Sequence, residues 1–276
     1  MIPRISLNDA TSIPQLGYGL HRVDPAQAQR LVETALELGY RHLDTAHIYG
    51  NEEAVGRAIA ASGIPRDELY VTTKLWNDRH SDAPGALAAS LEALGLDRVD
   101  LYLIHWPRPA QGLYLDAWKA MIDLRAEGLT TSIGVSNFQL EHIAKLENET
   151  DVTPAINQVE LHPLFQRWRD IDAMRVHGTA IEGWAPLGGG YYDLADYPEI
   201  TDAAERHGVT PAQVVLRWHL QNNVIIFPKT NSPERMRENL DLFGFELSQD
   251  EVAAIVSLDE EEFGRQGPHP DDYEQE

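Results

Sequence analysis

Residues 25–45, PAQAQRLVETALELGYRHLDT, hold the unit from which the rest of the chain is built. Leu31, Val32, Ala35 and Leu38 recur at helical spacing and share one apolar face. Asp24, just before them, suits an N-cap, and Pro25 suits the first helical position. Gly39 stops the helix, because glycine takes the left-handed backbone that closes a helical turn at no steric cost. A short strand-like run, Arg41-His42-Leu43-Asp44, follows at once. The same device recurs in GALAASLEALGLDRVDLYLIH (85–105), with Leu87, Leu91 and Leu94 in phase and Gly95 as the stop. It recurs again around Gly128 in LDAWKAMIDLRAEGLTTSIGVSN (115–137) and around Gly178 in IDAMRVHGTAIEGWAPL (171–187).

Helices alternating with strands form parallel βαβ units with right-handed crossovers. Strand segments lie near 16–20, 40–44, 69–74, 99–105, 131–136, 155–159, 179–184 and 223–227. Eight such units in 276 residues point to an α/β fold, a closed (β/α)₈ TIM barrel, rather than an open sheet. Residues 1–276 read as a single barrel domain. A hairpin near 4–14 is expected to plug its bottom. The last stretch, DEEEFGRQGPHPDDYEQE, makes an acidic C-terminal tail over about 260–276, read as a substrate-side loop that wraps the surface or is partly disordered.

Composition narrows the function classes. The formal charge is −22, so a nucleic acid or an anionic membrane is not expected as a partner. The chain has no cysteine, which excludes disulfides, thiolate metal sites and a cysteine nucleophile. No apolar run approaches the ~18 residues of a membrane span, and the first ten residues carry no signal pattern. A cytoplasmic protein fits these features. Only four lysines occur, Lys74, Lys119, Lys145 and Lys229, so each can be weighed singly.

In a barrel of this kind chemistry sits at the C-terminal strand ends. Three consecutive strands end on polar residues: Asp44, Lys74 and His105. Period-two alternation puts His42 with Asp44, Thr72 with Lys74, and Leu101 and Leu103 with His105. If that face points inward, Asp44, Lys74 and His105 converge at the mouth, and Tyr49 on the next loop can join them. A free phenol titrates near ~10, too high for fast proton transfer at neutrality. A neighbouring ammonium favours the phenolate, and a carboxylate keeps the lysine charged and aimed. Asp44 would thus orient Lys74, Lys74 would tune Tyr49, Tyr49 would donate a proton, and His105 would direct a substrate oxygen. Singly, Asp44 reads equally well as a turn residue and His42 as a barrel filler. Lys74 is harder to explain structurally, because a buried strand-end lysine is costly unless paired.

There is no G-x-G-x-x-G and no Walker loop. The stretch FPKTNSPERMRENL (227–240) instead reads as an anion site after the last strand. Lys229 sits at a strand end, Thr230, Asn231 and Ser232 can cap the helix from Pro233, and Arg235 lies on its first turn. A plain capped helix is the alternative.

Taken in order, HLDTAHIYGNE, VTTKLW, LIHWP, IGVSNF, NQVELHP, GWAPLG and FPKTNSPERMRENL resemble the aldo-keto reductases over nearly the whole chain, and most of all their bacterial 2,5-diketo-D-gluconate reductase branch. The resemblance implies NADPH-dependent reduction of an aldehyde or ketone by a monomeric barrel, with Asp44, Tyr49, Lys74 and His105 as the catalytic four. It places the nicotinamide carboxamide on Ser136, Asn137 and Gln158, and the ring against Trp184. Leu187 and Gly188 fall in the cofactor loop. Lys229, Thr230 and Arg235 fall at the 2′-phosphate, Asn231 falls among the cofactor contacts, and Glu238 and Asn239 fall at the adenine. The two cations, Lys229 and Arg235, favour NADPH over NADH.

His21 stands where many members have an aromatic pocket residue, which points to hydrophilic substrates. Trp76 and Trp106 are expected to wall the same pocket. Ala185 replaces a common serine and offers the pyrophosphate no hydroxyl. His105 is retained where members that reduce C=C bonds carry glutamate, so that activity is not expected. The implied substrates are small polar aldehydes, α-dicarbonyls or keto sugars such as 2,5-diketo-D-gluconate. No metal is expected, since neither an H-x-H strand motif nor a spaced carboxylate set occurs. The alternative functions are a cofactor-bound regulatory protein on the same scaffold and a metal-dependent barrel hydrolase.

Overall fold

The computed structural model describes residues 2–273 and 275. A hairpin opens the chain, β1 (Arg4–Ser6) pairing antiparallel with β2 (Ser12–Pro14). Then β3 (Tyr18–Gly19), α1 (Pro25–Leu38), β4 (His42–Asp44), α2 (Glu52–Ser62), β5 (Tyr70–Leu75), α3 (Ala83–Leu94) and β6 (Val99–Ile104) begin the alternation. It continues with α4 (Tyr114–Ala126), β7 (Thr130–Ser136), α5 (Leu140–Thr150), β8 (Ile156–Glu160), α6 (Trp168–Val176) and β9 (Ala180–Trp184). The chain ends with α7 (Pro198–His207), α8 (Pro211–Gln221), β10 (Ile225–Ile226), α9 (Pro233–Leu240) and α10 (Gln249–Val256).

The eight strands from β3 to β10 lie in sequence order and pair in parallel. A parallel bridge between Leu16 and Ile226 joins the first to the last, so the sheet closes into the expected barrel. Closure needs a bare backbone at Gly19. A Cβ there would stand 2.3 Å from the carbonyl oxygen of Phe227.

Asp24 caps α1 through its side chain, Pro25 opens it, and Gly39 closes it at φ 109°. The buried face of α1 includes Leu36, whereas Leu38 only flanks the core. The apolar content divides into layers. One cluster packs helices against the outer strand faces, with Leu43, Val71, Tyr102 and Ile104 pointing outward. A smaller inner cluster holds Tyr70, Leu101, Leu103, Ile156 and Ile225, and is capped by Leu7 and Ile13 of the hairpin. The hairpin therefore plugs the barrel floor, and the polar strand ends are left to the opposite mouth. No helix among the described residues is long and apolar enough to cross a membrane.

The tail is an anchored strap. Glu160, at the end of β8, accepts the backbone N–H of Gln266 at 2.7 Å and that of Gly267 at 3.0 Å. The Gly267 backbone lies so close to Trp184 that a Cβ would stand 2.5 Å from its ring. Tyr273 packs on Trp106 with ring centroids 4.3 Å apart, and Asn77 donates to the carbonyl of Gln275 at 2.8 Å. The remainder of the tail expectation, at residues 274 and 276, lies outside the described residues.

Candidate active site

Three strand ends and one turn build the site. Register pairs Asp44 of β4 with Thr72 of β5, and Lys74 of β5 with Leu103 of β6, so the inward faces agree as expected from the alternation. After β4 a single 3-10 turn, His47–Tyr49, ends at Gly50 with φ 67° and brings Tyr49 back over the barrel. Lys74 Nζ donates to Asp44 Oδ1 at 2.7 Å and to the Thr45 carbonyl at 2.8 Å. It reaches the Tyr49 hydroxyl at 3.5 Å, with the ring centroid 5.1 Å away. His105 lies edge-on to Tyr49, ring centroids 5.9 Å apart, and 4.9 Å from Trp76. The four residues singled out from sequence thus meet at one place.

Burial sets the charges here. It works against the Lys74 ammonium, but Asp44, Tyr49 and Glu182 outweigh it and hold the group above its usual range. Burial lifts Asp44 above the ordinary carboxylate value, opposed by Lys74 and by the amide of Gln158. Tyr49 departs from expectation. Burial raises its hydroxyl above the usual phenol value, and the pull of Lys74 only partly offsets this. The phenol therefore stays protonated, ready as an acid rather than poised as a phenolate. His105 is held well below the usual histidine range by burial, by Lys74 and by His21. Its ring is neutral, and Nδ1 is buried without a hydrogen-bond partner among the described residues.

The carboxamide candidates form one group. Ser136 Oγ donates to the Gln158 carbonyl at 2.9 Å, and Asn137 Nδ2 donates to the His105 carbonyl and to Ser136 Oγ, each at 3.0 Å. Trp184 Nε1 donates to Asn137 Oδ1 at 2.8 Å, which orients the half-buried indole beside them. Gln158 Nε2 points down to Asp44 Oδ2 at 2.9 Å. Its Oε1 takes part in no hydrogen bond among the described residues.

Beyond Trp184, Ala185 adopts a left-handed φ of 50°, and Gly188 donates its N–H to the Ala185 carbonyl at 2.8 Å. Leu187 is partly buried in this turn. At the other rim Ser232 caps α9, accepting the N–H of Arg235 at 3.3 Å. Thr230 is buried, with its carbonyl bonded by Tyr18 at 2.9 Å. Asn239 is buried on α9, and Asn231 and Glu238 are exposed. Lys229 and Arg235 are exposed and have no ion-pair partner among the described residues. Two unneutralised cations at a capped helix start suit a phosphate dianion.

Of the pocket residues, His21 lies 5.1 Å from the Tyr49 ring. Partial desolvation, with Arg22, Lys74 and Lys229 nearby, pushes it down to about 4 and leaves it neutral. Trp76 and Trp106 are buried, the first against His105 and the second under Tyr273. Sequence reading missed Glu182, which lies under the site, and Glu160, which anchors the strap. An acid inside the otherwise apolar strand AIEGW was the available signal for the first.

Comparison with known proteins agrees with this architecture. Residues 14–260 match the Aldo/keto reductase family. An aldo-keto reductase of Mycolicibacterium smegmatis is 50% identical over 274 residues, 98% of each chain. Methylglyoxal reductase DkgA of Escherichia coli (strain K12) is 46% identical, covering 98% of this chain and 97% of that protein. Among solved structures, a Gox0644 mutant in complex with NADPH superposes with a TM-score of 0.95 at 42% identity, covering 100% of both chains. The chain belongs to the aldo/keto reductase family.

Proposed function

We propose that this oxidoreductase reduces small polar carbonyl compounds with NADPH, favouring α-dicarbonyls such as methylglyoxal and extending to other polar aldehydes and keto sugars. The observation that carries the reading is the chain Asp44–Lys74–Tyr49, its ion pair buried and its phenol part-exposed, with His105 beside it. When bound, NADPH supplies a hydride to the carbonyl carbon. Tyr49 gives its proton to the carbonyl oxygen as negative charge develops there. Lys74, held charged by Asp44, stabilises the phenolate left behind and so makes the proton easier to give. His105, neutral, donates a ring N–H to the same oxygen and fixes its direction.

The residues present fit the cofactor. Gln158 Oε1, unbonded among the described residues, matches the N–H of a primary amide with Ser136 and Asn137 beside it, and Lys229 and Arg235 match a phosphate. The neutral His21 beside Tyr49 and Trp76 beside His105 set a polar and an aromatic group around the reacting residues. A charge of −22 slows the approach of anionic substrates, which ranks neutral dicarbonyls ahead of sugar acids. The similarity to an enzyme named methylglyoxal reductase supports the same ranking. NADPH consumption with methylglyoxal and with 2,5-diketo-D-gluconate, compared as kcat/KM, tests it. A higher value for the sugar acid contradicts the ranking, and no turnover with either contradicts the substrate class.

A further inference from the structure

Below the reacting groups the barrel holds a second carboxyl that the reaction does not use. Glu182 lies in the middle of β9 and is fully buried. Its register partners are Gln158 on β8 and Ile225 on β10. Gln158 Nε2 donates to Glu182 Oε2 at 2.9 Å and to Asp44 Oδ2 at 2.9 Å. A primary amide nitrogen carries two hydrogens, so both are committed downward. Asp44 uses its other oxygen for Lys74. Turning the amide over would put Oε1 against two carboxyl oxygens, and would leave two buried acceptors without a donor. Together the carboxyls therefore fix which end of the Gln158 amide faces the mouth.

We propose that Glu182 is a positioning residue: with Asp44 it locks Gln158 so that Oε1, and not Nε2, is presented to the amide N–H of the nicotinamide carboxamide. This rests on the reading that Gln158 faces that carboxamide. Burial, reinforced by Asp44, pushes the Glu182 carboxyl up to about 8. Oε2 accepts from Gln158 when the carboxyl is ionised, and equally when the proton sits on Oε1, the oxygen that faces His42 Nε2 at 3.8 Å. With Glu182 removed, one amide hydrogen loses its partner, and the flipped orientation, donor against donor, becomes accessible.

The test compares binding of NADPH with that of its acetylpyridine analogue, in which a methyl ketone replaces the carboxamide and offers no N–H. Quenching of tryptophan fluorescence reads both constants without turnover. The native protein should bind the analogue about tenfold more weakly, the value of one hydrogen bond. In Glu182→Met the gap should shrink to within about twofold. In Glu182→Gln, which keeps an acceptor of the same length, it should persist. A full gap in Glu182→Met overturns the proposal, whereas no gap in the native protein shows that Gln158 does not face the carboxamide and overturns both readings. Should Glu182→Met lack a cooperative melt, the native protein still decides. The two Gln158 side-chain amide protons, identified by their loss in Gln158→Met, should exchange slowly with solvent. Rapid exchange of those protons overturns the proposal.

Discussion

Lys74 sits closer to Asp44, at 2.7 Å, than to Tyr49, at 3.5 Å. The lysine is thus anchored by the acid and only approaches the phenol, which leaves the hydroxyl free to turn toward a substrate oxygen.

Removing that hydroxyl separates binding from chemistry. Tyr49→Phe should bind NADPH as the native protein does and lose about 10²–10⁴-fold in kcat, the usual contribution of a positioned proton donor. Fluorescence titration beside steady-state kinetics checks this, and a parallel loss of cofactor affinity would show that Tyr49 serves the cofactor site instead.

The buried pair itself is asymmetric in its cost. Asp44→Ala leaves the Lys74 ammonium buried without its counter-charge and should lower stability by about 3–5 kcal/mol in urea melts. Replacing both partners, Asp44→Leu with Lys74→Met, should cost less than the single change, because no charge is then stranded. A double variant less stable than Asp44→Ala would contradict that account.

Glu182 makes stability depend on pH. Burial raises its folded value to about 8 from an ordinary 4.5. Between those values the folded state holds a proton that the unfolded chain has released. Stability is therefore highest below about 4.5 as far as this group is concerned, declines as pH rises to about 8, and is level above. Glu182→Gln should flatten the fall in melting temperature between pH 5 and pH 8. An unchanged slope would mean that Glu182 is ionised in the folded state.

At the far rim, Arg235→Ala should weaken NADPH by about ten- to hundredfold, one charge-assisted contact, and leave NADH nearly unaffected. Isothermal titration with both cofactors checks it, and an equal loss for the two would remove Arg235 from the phosphate site.

Much of this was legible in the residues. The glycine stops at Gly39, Gly95, Gly128 and Gly178 mark where each helix hands over to a strand, so the strands and the inward face followed from local chemistry. The convergence of Asp44, Lys74 and His105 followed from period two together with a barrel whose inner face carries them. What escaped depends on long-range packing. Glu182 lies 24 residues from Gln158 in the chain, and only the parallel pairing of β8 with β9 makes them neighbours. The strap is fixed by Glu160, 106 residues from Gln266, and nothing in the acidic tail announces that partner. The rise of the Tyr49 hydroxyl could not be read either, since the sequence shows the lysine beside it but not how deeply it sits.

The most direct test of the central claim follows the loss of nicotinamide absorbance with methylglyoxal, in the native protein and in Tyr49→Phe. Steady oxidation of NADPH, much faster than of NADH, and its near-abolition in the variant is the predicted result. Native-like turnover in Tyr49→Phe would contradict the assignment of Tyr49 as proton donor.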